Sequence, residues 1–208
     1  MLMATYRGGR RTRQEILEAA EGLLAEQGYH AVSLSDIAAA AGCAKASVLY
    51  HFKAKIDILA AIMDPVVGAY DALHEQVEAL DPIEAQDVAI RGYVDLLLRH
   101  RRAAAVVRLE LPKLLGEGAM APLLRAGSFL PAALTAGRVD AAAQSRALFA
   151  IFGALGAALQ DFTDLPEAEL RQHLVTFMVD VLVPRTDGLV PSLEPESRAS
   201  AAAGETAP

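Results

Sequence analysis

The chain has 208 residues, 53% of them apolar but only 5% aromatic, with no Trp, a single Cys and 42 Ala. Alanine at that density favours helix over strand; the apolar content excludes a disordered chain, and the lone Cys excludes a disulfide scaffold and suits a reducing cytoplasm. A net charge of −7, averaged over the whole chain, argues against a nucleic-acid binder.

The opening Met1–Tyr6 is too short for a secretion signal, and Arg7, Arg10, Arg11 and Arg13 follow it directly. Residues 1–13 read as a flexible basic arm, either a solvated tail or an arm lying on DNA. From Thr12 to Gln27, Ile16, Ala19, Ala20, Leu23 and Leu24 recur at helical spacing, and Gly28 followed by Tyr29 ends the helix. Ser33-Leu34-Ser35-Asp36 is a capping-box pattern, opening a short helix with Leu34, Ile37, Ala38 and Ala41 on one face. Gly42 stops it, and a third short helix, Lys45 to Phe52, buries Val48, Leu49 and Phe52.

A different texture follows. A long helix is predicted from Ala54 to Leu80, bent at Pro65, and Asp81-Pro82 caps another that reaches Arg101. Ala103–Leu115 and Ala119–Ala136 are two more, and Ala141–Phe162 and Pro166–Val183 are the most apolar. The longest apolar run, Ala147 to Leu159, has 13 residues. A membrane span needs about 20, so the run reads as a buried helix and no membrane partner is expected. Residues 185–208, rich in Pro, Ser, Ala and Glu, read as a disordered tail.

The strongest local signal is Ile37-Ala38-Ala39-Ala40-Ala41-Gly42-Cys43-Ala44-Lys45-Ala46-Ser47-Val48. A helix-turn-helix needs a small residue where the helices cross (Ala38), a sharp turn four positions on (Gly42), and apolar locks (Ile37, Cys43, Val48). The solvent face of the second helix is then a ridge of Lys45, Ala46, Ser47, Tyr50 and His51, shaped for a major groove. Charge is partitioned accordingly. Residues 1–60 hold 7 Lys+Arg against 6 Asp+Glu, net +1, while residues 61–208 hold 12 against 20, net −8.

The ordered string Ile16…Ala20…Leu24…Gly28-Tyr29…Ser33…Ile37-Ala38…Ala41-Gly42…Tyr50-His51-Phe52-Lys53-Ala54-Lys55…Leu59 resembles the tetracycline-repressor (TetR) family of transcription regulators over residues 10–60. The resemblance implies an all-α chain: an N-terminal three-helix helix-turn-helix DNA-binding domain over 14–58, and a C-terminal helical bundle for ligand binding and dimerisation over 59–184. It implies a homodimer on a pseudo-palindromic double-stranded DNA operator, released by a small-molecule effector. By position, Ser33 would cap near phosphate and Ser35 would reach phosphate or a base. Lys45, Ala46 and Ser47 would face bases, Tyr50 and His51 would meet phosphate or sugar, and Lys55 would hold another phosphate. Ala44 and Ala54 depart from the polar caps common there, each forfeiting about 1 kcal/mol. Leu49 stands where many members carry a phosphate-contacting Tyr.

In the second domain, Met63, Tyr70, His74, Tyr93, Leu97, Met120, Phe129, Phe149 and Phe152 are candidates to line a cavity between helices. Tyr70, His74 and Tyr93 stand out, since a polar tip on an apolar face needs a partner. The resemblance assigns dimerisation to the last two helices. The stripes are Leu148, Phe152, Leu155, Gly156 and Leu159 on one, and Leu174, Phe177, Met178, Val181 and Leu182 on the other. No cofactor, metal site or catalytic constellation is expected. Asp71 and His74 have the spacing of half a di-metal site, but no second copy is present. The competing reading is a helical small-molecule-binding protein without specific DNA binding.

Overall fold

The computed structural model describes the backbone of residues 2–114, 120–160 and 165–183, and the side chains of those from Thr12 onward except residues 109–114. The predicted tail over 185–208 lies outside the described residues. α1 (Leu2–Gln27) begins well ahead of Thr12, so the stretch expected as a flexible arm is helical. No Pro interrupts it, and Leu, Met, Ala and Arg offset the cost of Gly8 and Gly9, about 1 kcal/mol each.

α2 (Leu34–Ala40) and α3 (Lys45–His51) follow, then α4 (Lys55–Glu78), which runs unbroken through Pro65. α5 (Pro82–Arg99) opens on Asp81, whose carboxylate accepts from the amides of Ile83 at 2.9 Å and Glu84 at 3.1 Å. α6 (Arg101–Leu114) comes next. The helix predicted over Ala119–Ala136 is three pieces instead: α7 (Ala121–Ala126), a 3-10 turn (Gly127–Phe129) and α8 (Leu130–Leu134). Pro131 cannot donate to a continuous ladder, and Gly127 and Ser128 are weak helix formers. α9 (Ala141–Ala158) and α10 (Glu167–Leu182) complete the fold, and every described element is helical.

Two apolar clusters form the interior. One joins α1, α2 and α3 to the first half of α4 through Ile16, Leu24, Ile37, Val48, Phe52, Ile58, Leu59 and Val66. Leu96, Ala103, Val106 and Leu123 of the body also enter it, because α1 and α4 pack on α6 and α7. The other joins α5, α8, α9 and α10 around Ile90, Tyr93, Leu97, Leu134, Leu174 and Met178. α4 belongs to both, since Leu73 and Val77 at its far end pack into the second cluster. The boundary expected at 58/59 therefore falls inside one continuous helix that carries the head on the body.

Across α5 and α10, the Arg171 guanidinium donates to Asp95 through Nε at 2.6 Å and Nη2 at 3.0 Å. Both side chains are more than a third exposed, so screening leaves the pair a modest contribution.

Candidate nucleic-acid interface and effector cavity

The turn between α2 and α3 is built from the backbone. Gly42 adopts φ 63°, and its amide donates to the Ala39 carbonyl at 3.1 Å. The Cys43 amide donates to the Ala38 carbonyl at 3.0 Å, completing a Schellman stop that satisfies two terminal carbonyls of α2. At the other end of α2 the expected capping box is formed. The Asp36 amide donates to Ser33 Oγ at 3.2 Å, while the Ser33 amide and hydroxyl donate to Asp36 Oδ2 at 2.8 and 2.6 Å. Those bonds from Ser33 hold the Asp36 carboxyl below its ordinary value.

Ile37, Ala38, Val48 and Phe52 are buried beneath this turn, leaving Lys45, Ala46, Leu49 and Tyr50 exposed along α3. Ser33 and Ser35 are exposed, and Ser47 and His51 half-buried beside the ridge. Leu49, predicted in the core, is 45% exposed instead. One residue on from Val48 the helix has rotated by about 100°, which carries Leu49 off the buried face. Tyr50, 84% exposed, meets the His51 ring edge-on at 5.0 Å. Arg13 reaches back from α1 to lie 4.9 Å from the Phe52 ring centroid.

α3 starts at Ala44 without a side-chain cap. α4 recovers half of its missing cap from within, since the Ala54 amide donates to Asp57 Oδ2 at 2.9 Å. Lys55 is not a freely solvated phosphate contact. Its Nζ donates to the carbonyls of Tyr29 at 2.5 Å and Val32 at 2.6 Å, tying α4 to the loop between α1 and α2. An ammonium has three donors, so one remains beyond these two bonds. Lys53 is exposed in the link between α3 and α4, a cation overlooked as a contact although it stands in the same Phe-Lys-Ala-Lys string.

The body holds a cavity of about 180 Å³ between α4, α5, α6, α7, α8 and α9. Of the nine candidates, Tyr70, Tyr93, Leu97 and Phe152 line it, together with Val66, Leu96, His100, Ala104, Leu130 and Ile151. Met63 and Met120 are instead buried in the head cluster, because α4 and α7 pack on each other there. His74 and Phe129 stack on each other at 4.5 Å and line a separate shallow crevice. Phe149 is 71% exposed and is not among the residues lining this cavity. His100, overlooked by sequence, joins the cavity as the C-cap of α5.

Tyr93 donates its hydroxyl to the Ile151 carbonyl at 3.0 Å, and burial pushes its pKa well up. Burial likewise pushes Tyr70 up to about 12. His100 is lowered, first by burial and then by Arg99. At neutral pH every titratable group among the described lining residues is uncharged.

α9 is reversed relative to a lone globular helix. Its inward face is Ala143, Ala147, Ala150, Ala154, Leu155 and Ala158, while Leu148 and Phe149 point outward and Phe152 lines the cavity although 54% exposed. Phe177 on α10 is 38% exposed beside them. The expected pairing stripe is thus partly corrected: Leu148, Phe152 and Phe177 are exposed, and Gly156, Leu159 and Val181 are half-buried. Leu155, Leu174, Met178 and Leu182 are buried in their own chain, because α9 and α10 pack on each other and on α5 through those faces. α9 is also long and apolar enough, at mean hydropathy 1.2, to pass for a membrane span by composition. Among the described residues no group of three or more His, Cys, Asp or Glu is placed to hold a metal.

Residues 16–62 match the family model described as bacterial regulatory proteins, tetR family. The chain is 30% identical over 84 residues to the HTH-type transcriptional regulator TtgR of Pseudomonas putida, covering 40% of each chain. To the fatty acid metabolism regulator protein of Bacillus subtilis it is 32% identical over 99 residues, covering 47% of this chain and 51% of that one. The chain thus spans about half the length, or less, of these curated relatives. The fold is similar to the ketosteroid transcriptional regulator KstR2 of Mycobacterium tuberculosis, with a TM-score of 0.69, 18% identity, and 82% and 92% of the two chains covered. It is also similar to FadR of Bacillus subtilis in complex with stearoyl-CoA, with a TM-score of 0.56, 20% identity, and 81% and 98% covered.

Proposed function

We propose that this chain, whose N-terminal domain belongs to the tetR family of bacterial regulatory proteins, is a homodimeric repressor that binds a pseudo-palindromic operator and is released by a small molecule. The observation that carries this reading is the α2–α3 pair: a Schellman turn at Gly42 presents a short-side-chain ridge on a tightly packed base. Lys45, Ala46 and Ser47 meet base edges. Ser33, Ser35, Tyr50, His51, Lys53 and the remaining donor of Lys55 hold phosphate or sugar.

The outward face of α9, with Phe177 of α10, pairs two copies. Leu148, Phe149 and Phe152 stand exposed together on one helix face, as apolar interaction sites do, and a second copy covers them. In the dimer the two ridges reach successive major grooves, about 34–36 Å apart. Effector in the cavity shifts the population toward a spacing that no longer fits, because Val66 and Tyr70 of α4 line that cavity and the same helix carries the head. The reading places the protein in the cytoplasm as a regulator rather than an enzyme.

Gel shifts against the DNA flanking its own gene, run from low to high salt, test the proposal. A sequence-selective complex whose affinity falls steeply with salt is expected. Failure to form a selective complex at low salt overturns it in favour of a helical small-molecule binder without specific DNA binding.

A further inference from the structure

The chemistry of the cavity identifies the kind of molecule that fills it, an inference that rests on the ligand-released reading above. We infer that the effector is a compact, uncharged, largely apolar molecule of one or two rings carrying a single polar atom, held by the Tyr70 hydroxyl.

Size comes first. A cavity of about 150 Å³ accommodates benzene, so the 180 Å³ here suits one substituted ring or two fused rings. Charge comes next. No Lys, Arg, Asp or Glu is among the described lining residues. Tyr70, Tyr93 and His100 are all neutral at pH 7. An ion transferred into such a wall loses its hydration with nothing to replace it. The phosphates of a coenzyme A thioester, as held by the Bacillus subtilis FadR of similar fold, find no cation in this wall.

The polar handle is Tyr70. Tyr93 already donates to Ile151, and its hydroxyl is therefore fixed in the wall. Tyr70 makes no such bond to another described residue; its ring packs 6.5 Å from that of Tyr93. Its hydroxyl can therefore donate to, or accept from, a ligand phenol, carbonyl or ether. Gly127 lies against the same ring, where an added Cβ would stand 3.5 Å from Tyr70 Cε1.

The full-length chain has no Trp, so the fluorescence of a naphthalene ligand reads binding directly. 2-Naphthol, 2-naphthoate and 2-naphthyltrimethylammonium present one ring system with a neutral, an anionic and a cationic group. Saturable binding of 2-naphthol is expected, with both ions weaker by about tenfold or more. Tyr70→Phe lowers 2-naphthol affinity about fivefold and leaves naphthalene unchanged. Gly127→Leu, at a φ of −82° that any residue adopts, fills the space and abolishes binding, with the melting curve confirming that the variant folds. Equal or tighter binding of either ion, tighter binding of stearoyl-CoA, no binding of 2-naphthol, or equal losses of naphthol and naphthalene in Tyr70→Phe overturns the inference. Binding of 2-naphthol that leaves operator affinity unchanged supports the ligand class and overturns the ligand-released reading instead.

Discussion

The Lys55 ammonium lies 4.3 Å from the centroid of the Tyr29 ring while donating to the carbonyl of the same residue at 2.5 Å. One side chain thus grips both the backbone and the aromatic face of the loop after α1. With the Val32 carbonyl as its second acceptor, Lys55 sets where the head sits on the start of α4. It is a structural cation first and a phosphate contact only through the donor that remains.

Lys55→Met and Lys53→Ala therefore separate stability from DNA contact. Lys55→Met leaves two part-buried carbonyls without their donor and should lower stability by about 1–2 kcal/mol, read as a lower melting temperature. Lys53→Ala, at an exposed site, should leave the melting curve unchanged. It should weaken binding to all DNA sequences alike and flatten the salt slope by about one unit. A melting temperature unchanged in Lys55→Met would remove the structural role.

Two glycines with open space around them should respond with opposite sign. An added Cβ meets nothing within 4 Å at either Gly22 or Gly42, so sterics with neighbours do not decide. Gly42 holds φ 63°, where a side chain costs about 1–2 kcal/mol. Gly22 sits inside α1, where Ala is favoured by about 1 kcal/mol. Thermal denaturation should show Gly42→Ala destabilised and Gly22→Ala stabilised.

The outward face of α9 predicts an association phenotype without a folding one. Phe149 is 71% exposed, so Phe149→Asp removes little from the interior of one chain. In a paired face it places two carboxylates against apolar surface, and the dimer should dissociate at micromolar concentration. Sedimentation velocity checks this, alongside an unchanged helical circular dichroism spectrum. A variant that stays dimeric would move the interface elsewhere.

His100 gives a pH signature. Its pKa in the folded chain is lowered from the ordinary 6.5, with burial the larger cause and Arg99 the smaller. The unfolded chain then binds the proton more readily than the folded one. The stability this contributes is full above pH 6.5 and is lost as pH falls through the lowered folded value. Melting temperature should decline on acidification below pH 6.5, and His100→Gln should remove that part of the decline. Protonation also places a charge in the cavity wall, so binding of a neutral ligand should weaken over the same range.

Much of the head is legible in the sequence because its determinants are local. The Ser33–Asp36 capping box spans four residues and the Gly42 stop spans six, so each helix end is decided by neighbours in the chain. The ridge of α3 follows from the same short-range geometry, although a single step of the helix is enough to move Leu49 from the predicted core to solvent. Helix ends at Gly28, Asp81 and Asp140 are written in the same way, by a residue that permits a positive φ or accepts a terminal amide. The break of the 119–136 stretch is local too, but its Pro122 and Pro131 are also compatible with helix starts, and periodicity alone runs straight through them.

The body is different, because its helices are apolar on more than one side. α9 offers alanines on one face and Leu148, Phe149 and Phe152 on another, and residue type alone does not say which turns inward. Tertiary packing settles it: the small face lets α9 lie close against α5 and α10, and the large residues are left outside. The same limit makes Met63 and Met120 cavity candidates by residue type, whereas the fold packs both in the head cluster. The opening composition, helical and rich in alanine, determined the class of structure and the ends of its elements. Only the packing of one helix on another decided which side chains meet the cavity, the solvent or a partner, since that choice compares interactions between residues far apart in the chain.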